Sequence, residues 1–523
     1  TAPAMADPTD ELMDALRALH PPRCDASAVP EPTRDHGTIS AETLAGVLAT
    51  LPVNKAAGPS GWTYEMIKAA AEDTAFFNAL RDLVNFLIEG GAPYIPDLLD
   101  SHLLAFEKPG GGVRPIAVGE VFARLTSLCA VAAQPGIGAS LAPLQFAVGV
   151  PGGCEVVAHG VRTFLEADAS NIVISIDFRN AFNAVSRVST LEATAELAPR
   201  MYNWQLYQYR QATRLWVVGA PDGTPPLLSE AGVRQGEPAA TVAFCLALQG
   251  VLEETLRRHP GAVLLCIADD IRICANGVAG VPVAKTLTAL AKERLQLDVV
   301  PHKSSAFSFD VSSGGAAAAA LGFQHAADGI VNVGTPIGTD AFVAAHLRRQ
   351  ADGACDAIRA ALDLPLTTQE RWAVLTKSQQ HALRHYQRVV EWGPLEDPDA
   401  QLHHAVIGAA CAILECALPD TLADDGAPHL TPSQDIQLLT PLRLGGMGLT
   451  AHNNAGTAQA AFLASSALAH RELLSSGASE QLLPFRGARG PGLEEDWREM
   501  VDVLHISAEH RDPTDAVIGR HIV

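Results

Sequence analysis

Asn171-Ile-Val-Ile-Ser-Ile-Asp177-Phe-Arg-Asn-Ala-Phe182 and Val263-Leu-Leu-Cys-Ile-Ala-Asp269-Asp270-Ile-Arg-Ile273 are the stretches whose reading decides the fold. Ile172, Val173, Ile174 and Ile176 read as a buried strand that delivers an acid at its C-terminal end. Residues 263–267 and 271–274 read as a tight β-hairpin whose turn holds two adjacent acids. Paired strands lie about 4.8 Å apart, so pairing these segments crowds three negative charges together. Such crowding is costly unless divalent cations neutralise it. Hard oxygen ligands at a strand end suit Mg²⁺, and two ions about 3.5–4 Å apart clamp both oxygens of an in-line phosphoryl displacement. Taken singly, Asp177 also reads as a helix cap and Asp269-Asp270 as an ordinary polar turn. The ordered segments around them decide between the readings.

Those segments are, in order, Asn54-Lys-Ala-Ala-Gly-Pro-Ser-Gly-Trp62, Phe106-Glu-Lys108-Pro-Gly-Gly-Gly-Val-Arg114-Pro-Ile-Ala-Val118 and Gln145-Phe-Ala-Val-Gly-Val-Pro-Gly-Gly-Cys-Glu155. The Asp177 strand follows, then Gly232-Val-Arg-Gln235-Gly236-Glu-Pro238, the Ala268-Asp269-Asp270 hairpin and Leu297-Asp-Val-Val-Pro-His-Lys303. Gly334-Thr-Pro-Ile-Gly338 and Pro441-Leu-Arg-Leu-Gly-Gly-Met-Gly-Leu449 complete the set. In this order the chain resembles the reverse transcriptase domain of non-LTR (LINE-type) retrotransposons. The resemblance implies an α+β right-hand polymerase: an N-terminal arm at 1–45, fingers at 46–170, and a palm with an antiparallel sheet at 171–338. A helical thumb at 339–420 and an acidic C-terminal extension at 421–523 complete the expected layout. The implied activity is RNA-directed DNA polymerisation, in which deoxynucleotides are added to a primer 3′ end on an RNA template.

Carried over residue by residue, the resemblance makes Asp177, the Phe178 carbonyl, Asp269 and Asp270 the holders of two Mg²⁺ ions, with Mn²⁺ as the alternative. Asp177 and Asp269 are the firm ligands. Phe182 stands where an aromatic ring lies beneath the sugar and excludes a 2′-hydroxyl, although the Phe178/Phe182 spacing also fits a helix face. Lys108 and Arg114 flank a glycine-rich turn and would grip the triphosphate, Arg as a fork and Lys as a point charge. Gln235-Gly236 would lie against the nascent base pair, where glycine permits close backbone approach. Lys303 would act as general acid at the leaving pyrophosphate. Three departures stand out: Ser60 and Glu237 replace the family's usual Asp, and Ile267 replaces an aromatic residue.

One feature is legible without the family. Thr367-Thr-Gln-Glu370 is a capping box, and Lys377, His381, Arg384 and Arg388 recur behind it at four, three and four residues. On one helix they form a basic stripe that can track duplex phosphates, although solvated helix faces look similar. Gly329-Ile-Val-Asn-Val-Gly334-Thr-Pro-Ile-Gly338 reads as a hairpin or bend, with Gly334 in the implied primer grip. An amphipathic helix is expected at 9–19. Ser312-Ser-Gly-Gly-Ala-Ala-Ala-Ala-Ala320 reads as a connection or the start of a small helix.

Charge speaks against nucleic acid. The chain carries −21, from 37 basic and 58 acidic residues, whereas a nucleic-acid-binding surface is expected to be basic. The acidity sits in the flanks: −9 over residues 1–100 and −8 over 401–523, against −4 over 101–400. These flanks point to protein partners, and no apolar stretch reaches the length of a membrane span. The nine cysteines make no Cys-x-x-Cys pair or finger-like Cys/His spacing, which fits a reducing intracellular compartment without structural zinc. The start, Thr1-Ala-Pro-Ala, reads as that of a processed or excised chain. A nuclear site is expected for an active retroelement enzyme and an organellar one for a reused subunit. The acidic flanks also support a second reading, a retroelement remnant reused as a structural subunit of a larger complex.

Overall fold

The computed structural model describes residues 5–23, 29–90, 92–108, 111–415, 437–440, 446–450 and 455–477. The chain is α+β, and its residues divide into two compact units. The first comprises 1–153, 172–306 and 315–325; the second comprises 154–171, 307–314 and 326–523.

Two sheets organise the first unit. One has four strands in the order β2–β1–β4–β5, with β1 Ser101–Glu107, β2 Val113–Gly119, β4 Thr213–Val217 and β5 Leu227–Ser229. β1 and β2 form an antiparallel hairpin, whereas β1 and β4 run parallel. The other sheet has five strands in the order β6–β7–β3–β8–β9. Its strands are β3 Asn171–Ile176, β6 Val263–Ile267, β7 Asp270–Asn276, β8 Ser305–Ser308 and β9 Gln324–His325. Ile172, Val173 and Ile174 are wholly enclosed, as the unbroken β-branched run predicts for a strand covered on both faces. The helices Ala240–Arg258 and Gly280–Leu295 supply much of that cover through Phe244, Leu248, Leu252, Leu287 and Leu290. The expected helix at 9–19 is α1, Asp10–Leu19, with Thr9 as its N-cap. Its apolar face (Leu12, Met13, Leu16) packs on Leu103, Ala105, Ala117, Leu215 and Leu227. The alanine-rich stretch resolves as helix Val311–Leu321, as expected where alanine dominates.

The second unit is helical apart from one hairpin, β10 Gly329–Asn332 with β11 Thr335–Gly338. Val333 and Gly334 both take left-handed backbone angles at its tip, the conformation a two-residue hairpin loop demands. The helix Asp340–Asp363 packs lengthwise on Trp392–Ile413, burying Leu347, Ala351, Ile358, Leu402 and Val406. The Thr367/Glu370 capping box forms as read. The single helix expected behind it does not. The chain leaves the helix at Ser378, tightens into a 3₁₀ turn at Gln379–His381, and starts again at Arg384–Val389. The cause is tertiary: buried Gln380 donates to the Thr376 carbonyl and accepts from Thr450 N at 2.7 Å, which turns the backbone inward. Of the Pro441–Leu449 motif, residues 441–445 lie outside the described residues, as does 478–523 of the acidic extension.

Buried polar groups rigidify this unit. Arg388 grips Glu155 through two bonds of 2.7 Å, Ser465 donates to the same carboxylate at 2.8 Å, and His159 Nε2 contacts Ser465 Oγ and the Arg388 carbonyl, each at 3.1 Å. Burial, with Arg162 nearby, pushes the His159 imidazole down to about 3. An unfolded histidine titrates near 6.5, so the unfolded chain binds the extra proton first as pH falls. Stability is therefore expected to be complete above pH 6.5 and to drain away as pH drops toward 3, by about 1.4 kcal/mol per pH unit. Urea midpoints for wild type and His159→Gln test this. Parallel pH dependences for the two proteins would refute the assignment.

Candidate functional site

Asp177 follows directly on β3, and β3 lies beside β7 in the sheet. The β6–β7 hairpin turns through Ala268-Asp269, with Asp270 as the first residue of β7 paired to Ile267. Ala268 takes φ +52°, a left-handed conformation that costs a residue with a Cβ about 1 kcal/mol. Strain of this kind is characteristic of sites where side-chain direction matters.

A second segment crosses the Asp177 turn. Val300 N donates to the Asp177 carbonyl at 2.8 Å, Arg179 N to the Asp298 carbonyl at 2.7 Å, and Phe178 bridges antiparallel to Val299. Ser304 Oγ accepts from Asp177 N at 3.1 Å. These bonds fix the acid's backbone and bring His302 and Lys303 to it, while the Phe178 carbonyl accepts none of them. Sequence reading missed Ser304, whose only signal is its place next to Lys303.

The electrostatics tie the pieces together. Burial pushes the Asp269 carboxyl up to about 6, with Asp270 and Asp177 adding like-charge repulsion and Arg114 opposing. Asp177 is also raised, chiefly by burial, against the pull of Lys303, Lys108 and His302. Lys108 is lowered by partial desolvation and by the cations Lys303 and Arg114. Two half-buried acids and three cations thus share one field, and each charge perturbs the others. Asp270 differs: its side chain is 58% exposed and lies 3.6 Å from the buried Arg272 guanidinium. Among the described residues, no group of three or more His, Cys, Asp or Glu side chains is arranged to hold a metal by itself. Mg²⁺ does not require one, since one or two carboxylates plus substrate phosphates satisfy it.

Around this centre, Phe182 stacks face to face on buried Phe244, ring centroids 4.9 Å apart and planes 13° from parallel. The ring is half-buried, so one edge stays available while the other is held. The Gln235 carbonyl accepts from Ala117 N at 2.7 Å. Gly236 has φ +112°, and a Cβ there would meet the Ala117 carbonyl at 2.6 Å, so this position excludes every side chain. Arg234 is buried and donates to the Leu99 carbonyl (2.7 Å) and to Gln208. Pro238 stands in the turn before the helix that opens at Ala240. Lys108 and Arg114 flank the tip of the β1–β2 hairpin, both exposed.

The remaining expected nucleic-acid contacts lie in the second unit. Lys377 and Arg384 are exposed on two separate helices. Arg388 has its guanidinium on Glu155, and Gly334 sits at the hairpin tip near His385. Among the described residues, seven cysteines are free and all but Cys154 are buried. No helix among them is long and apolar enough to cross a membrane.

No protein-family model matches the chain. Among curated proteins it is similar to the retrotransposable element SLACS 132 kDa protein of Trypanosoma brucei gambiense, 24% identical over 398 residues. That match covers 72% of this chain and 32% of the trypanosome protein. The chain therefore spans about a third of that relative and is similar to a retroelement protein.

Proposed function

We propose that this chain is an RNA-directed DNA polymerase of the right-hand type, with Asp177 and Asp269 at its centre. The observation that carries the reading is the convergence of a β3-terminal acid and a hairpin-turn acid, both raised by burial, in the field of Lys108, Arg114 and Lys303. A carboxyl held up to about 6 beside other carboxyls is a group arranged for a cation partner.

The donor set fits magnesium: Asp177, the Phe178 carbonyl and Asp269 would hold the ions, with Asp270 at the rim. Bound there, two Mg²⁺ would neutralise charge on the attacking and leaving oxygens of an in-line displacement. The rest falls to the protein's own groups. Lys108 and Arg114 bind and orient the triphosphate, so the reacting phosphorus is presented in one geometry. Lys303, delivered by the segment bonded to Asp177, holds a proton for the departing pyrophosphate. Phe182, backed by Phe244, would meet the sugar at C2′, and the Gln235-Gly236 turn would lie against the nascent base pair.

Primer extension on an RNA template with Mg²⁺ and deoxynucleotides tests the proposal. No extension on any template, with Mg²⁺ or Mn²⁺, overturns it. Salt-insensitive failure to retain primer–template, combined with co-purifying protein, would favour the scaffold reading that the −21 charge supports. Phe182→Val is expected to keep deoxynucleotide incorporation within a few-fold and to relax discrimination against ribonucleotides by roughly 10–100-fold. Unchanged discrimination would reduce Phe182 to packing.

A further inference from the structure

The N-terminal segment runs between the two halves of the site. At one end Met5 bridges antiparallel to Phe106, and Ala6 N donates to the Ala105 carbonyl at 2.9 Å. Ala105 and Phe106 lie near the end of β1, three and two positions before Lys108. In the middle, α1 buries Leu12, Met13 and Leu16 on Leu103, Ala105 and Ala117, a small core separate from the main one. At the other end the Leu19 carbonyl, in the last turn of α1, accepts from Asn180 Nδ2 at 2.6 Å. Asn180 lies three residues after Asp177, and its own Oδ1 accepts from buried Asn183 Nδ2 at 3.1 Å. Its backbone is left-handed, φ +51° and ψ +42°, a conformation asparagine tolerates better than most residues.

We propose that residues 5–20 are a strap that sets the spacing between the Lys108/Arg114 hairpin and the Asp177–Phe182 turn, and that Asn180 is the positioning residue that fastens it. The hairpin's strands pair with each other as far as its tip, where Lys108 N donates to the Gly112 carbonyl at 2.9 Å, but β1 pairs with β4 only over Ser101–Leu103. The turn from Asp177 to Phe182 is fixed on one side by residues 298–304 and at its far end by Val233 N, which donates to the Phe182 carbonyl at 2.7 Å, while Asn180 ties it to α1. A single rigid helix joining the two transmits the position of one to the other, because α1 cannot change length without breaking its own hydrogen bonds. The structural coupling stands by itself; its kinetic consequence rests on the polymerase reading.

Asn180→Gly tests it in the full chain, since glycine keeps the left-handed backbone and removes only the amide. Leu16→Ala loosens the same strap from its middle, with no residue near the acids altered. Each variant is expected to speed amide hydrogen exchange about five- to tenfold in both 103–118 and 178–185, with the helix 280–295 unchanged. The double variant should add little beyond either single one, the signature of a shared element. In primer extension, KM for the incoming deoxynucleotide should rise about tenfold with kcat within a few-fold, because the strap positions the triphosphate grip. Exchange that rises in only one of the two segments, or additive effects in the double variant, would overturn the strap. Coupled exchange without primer extension in the wild type would retain the strap and sink the polymerase reading instead.

Discussion

Asp269→Asn is expected to reduce primer extension by about 10³-fold or more, since a lost carboxylate ligand removes several kcal/mol of charge stabilisation and each 1.4 kcal/mol is tenfold in rate. The same substitution is expected to stabilise the protein in the absence of divalent ions. At pH 7 the native carboxyl is largely ionised although burial, Asp270 and Asp177 hold it up to about 6. Replacing it with a neutral amide of the same shape relieves a penalty on the order of 2 kcal/mol. Activity and stability thus move in opposite directions, as is common where strain serves a site. Adding Mg²⁺ should raise the wild-type melting temperature and leave that of the variant unmoved. Asp270→Asn should cost less activity, because its carboxylate is mostly exposed and faces Arg272. Retained extension by Asp269→Asn, or a loss of stability, would break the assignment.

Arg187→Met is expected to destabilise the first unit by roughly 3–5 kcal/mol. Its side chain is 2% exposed. Nε donates to the Gly232 carbonyl at 2.9 Å, Nη2 to Ser229 O and Oγ at 2.9 Å, and Nη1 to the Gln211 carbonyl at 3.1 Å. The guanidinium carbon also lies 5.2 Å from the Tyr209 ring centroid. Methionine fills similar volume but leaves those acceptors buried without donors, at about 1–3 kcal/mol each before relaxation. Lysine cannot rescue the site, because a point charge does not reproduce a planar fork that serves two segments at once. Arg187 also holds Gly232, three residues before the Gln235-Gly236 turn, so the loss should carry into the site. Chemical denaturation reads the effect, and a shift below 1 kcal/mol would show that the buried fork is dispensable.

How much was legible in advance follows the range of the forces. The strand ending at Asp177, the hairpin at Asp269, α1, the capping box and the β10–β11 hairpin were all readable, because each is encoded by apolar periodicity, turn residues or caps within about ten positions. Phe182 was readable as an aromatic at a meaningful spacing, but its partner Phe244 lies 62 residues away. The basic stripe failed as a single helix for a similar reason: Gln380 is drawn to Thr450, and local periodicity carries no trace of that bond. Arg388 looked like a free cation until Glu155 was placed against it. Asn180 gave one weak signal, an asparagine in a turn after an acid, and none of its attachment to Leu19.

The sequence alone determined which residues are acids on apolar strands, which turns require glycine, and which helix begins at Thr367, because these depend on neighbours along the chain. Tertiary structure alone decided that Asp177 and Asp269 share one field with Lys108, Arg114 and Lys303, and that Arg388 is spent on Glu155. The reason is physical. Hydrogen bonds within a helix or turn are satisfied by adjacent residues, whereas desolvation and Coulomb energy depend on what is packed near a charge, irrespective of its distance along the chain.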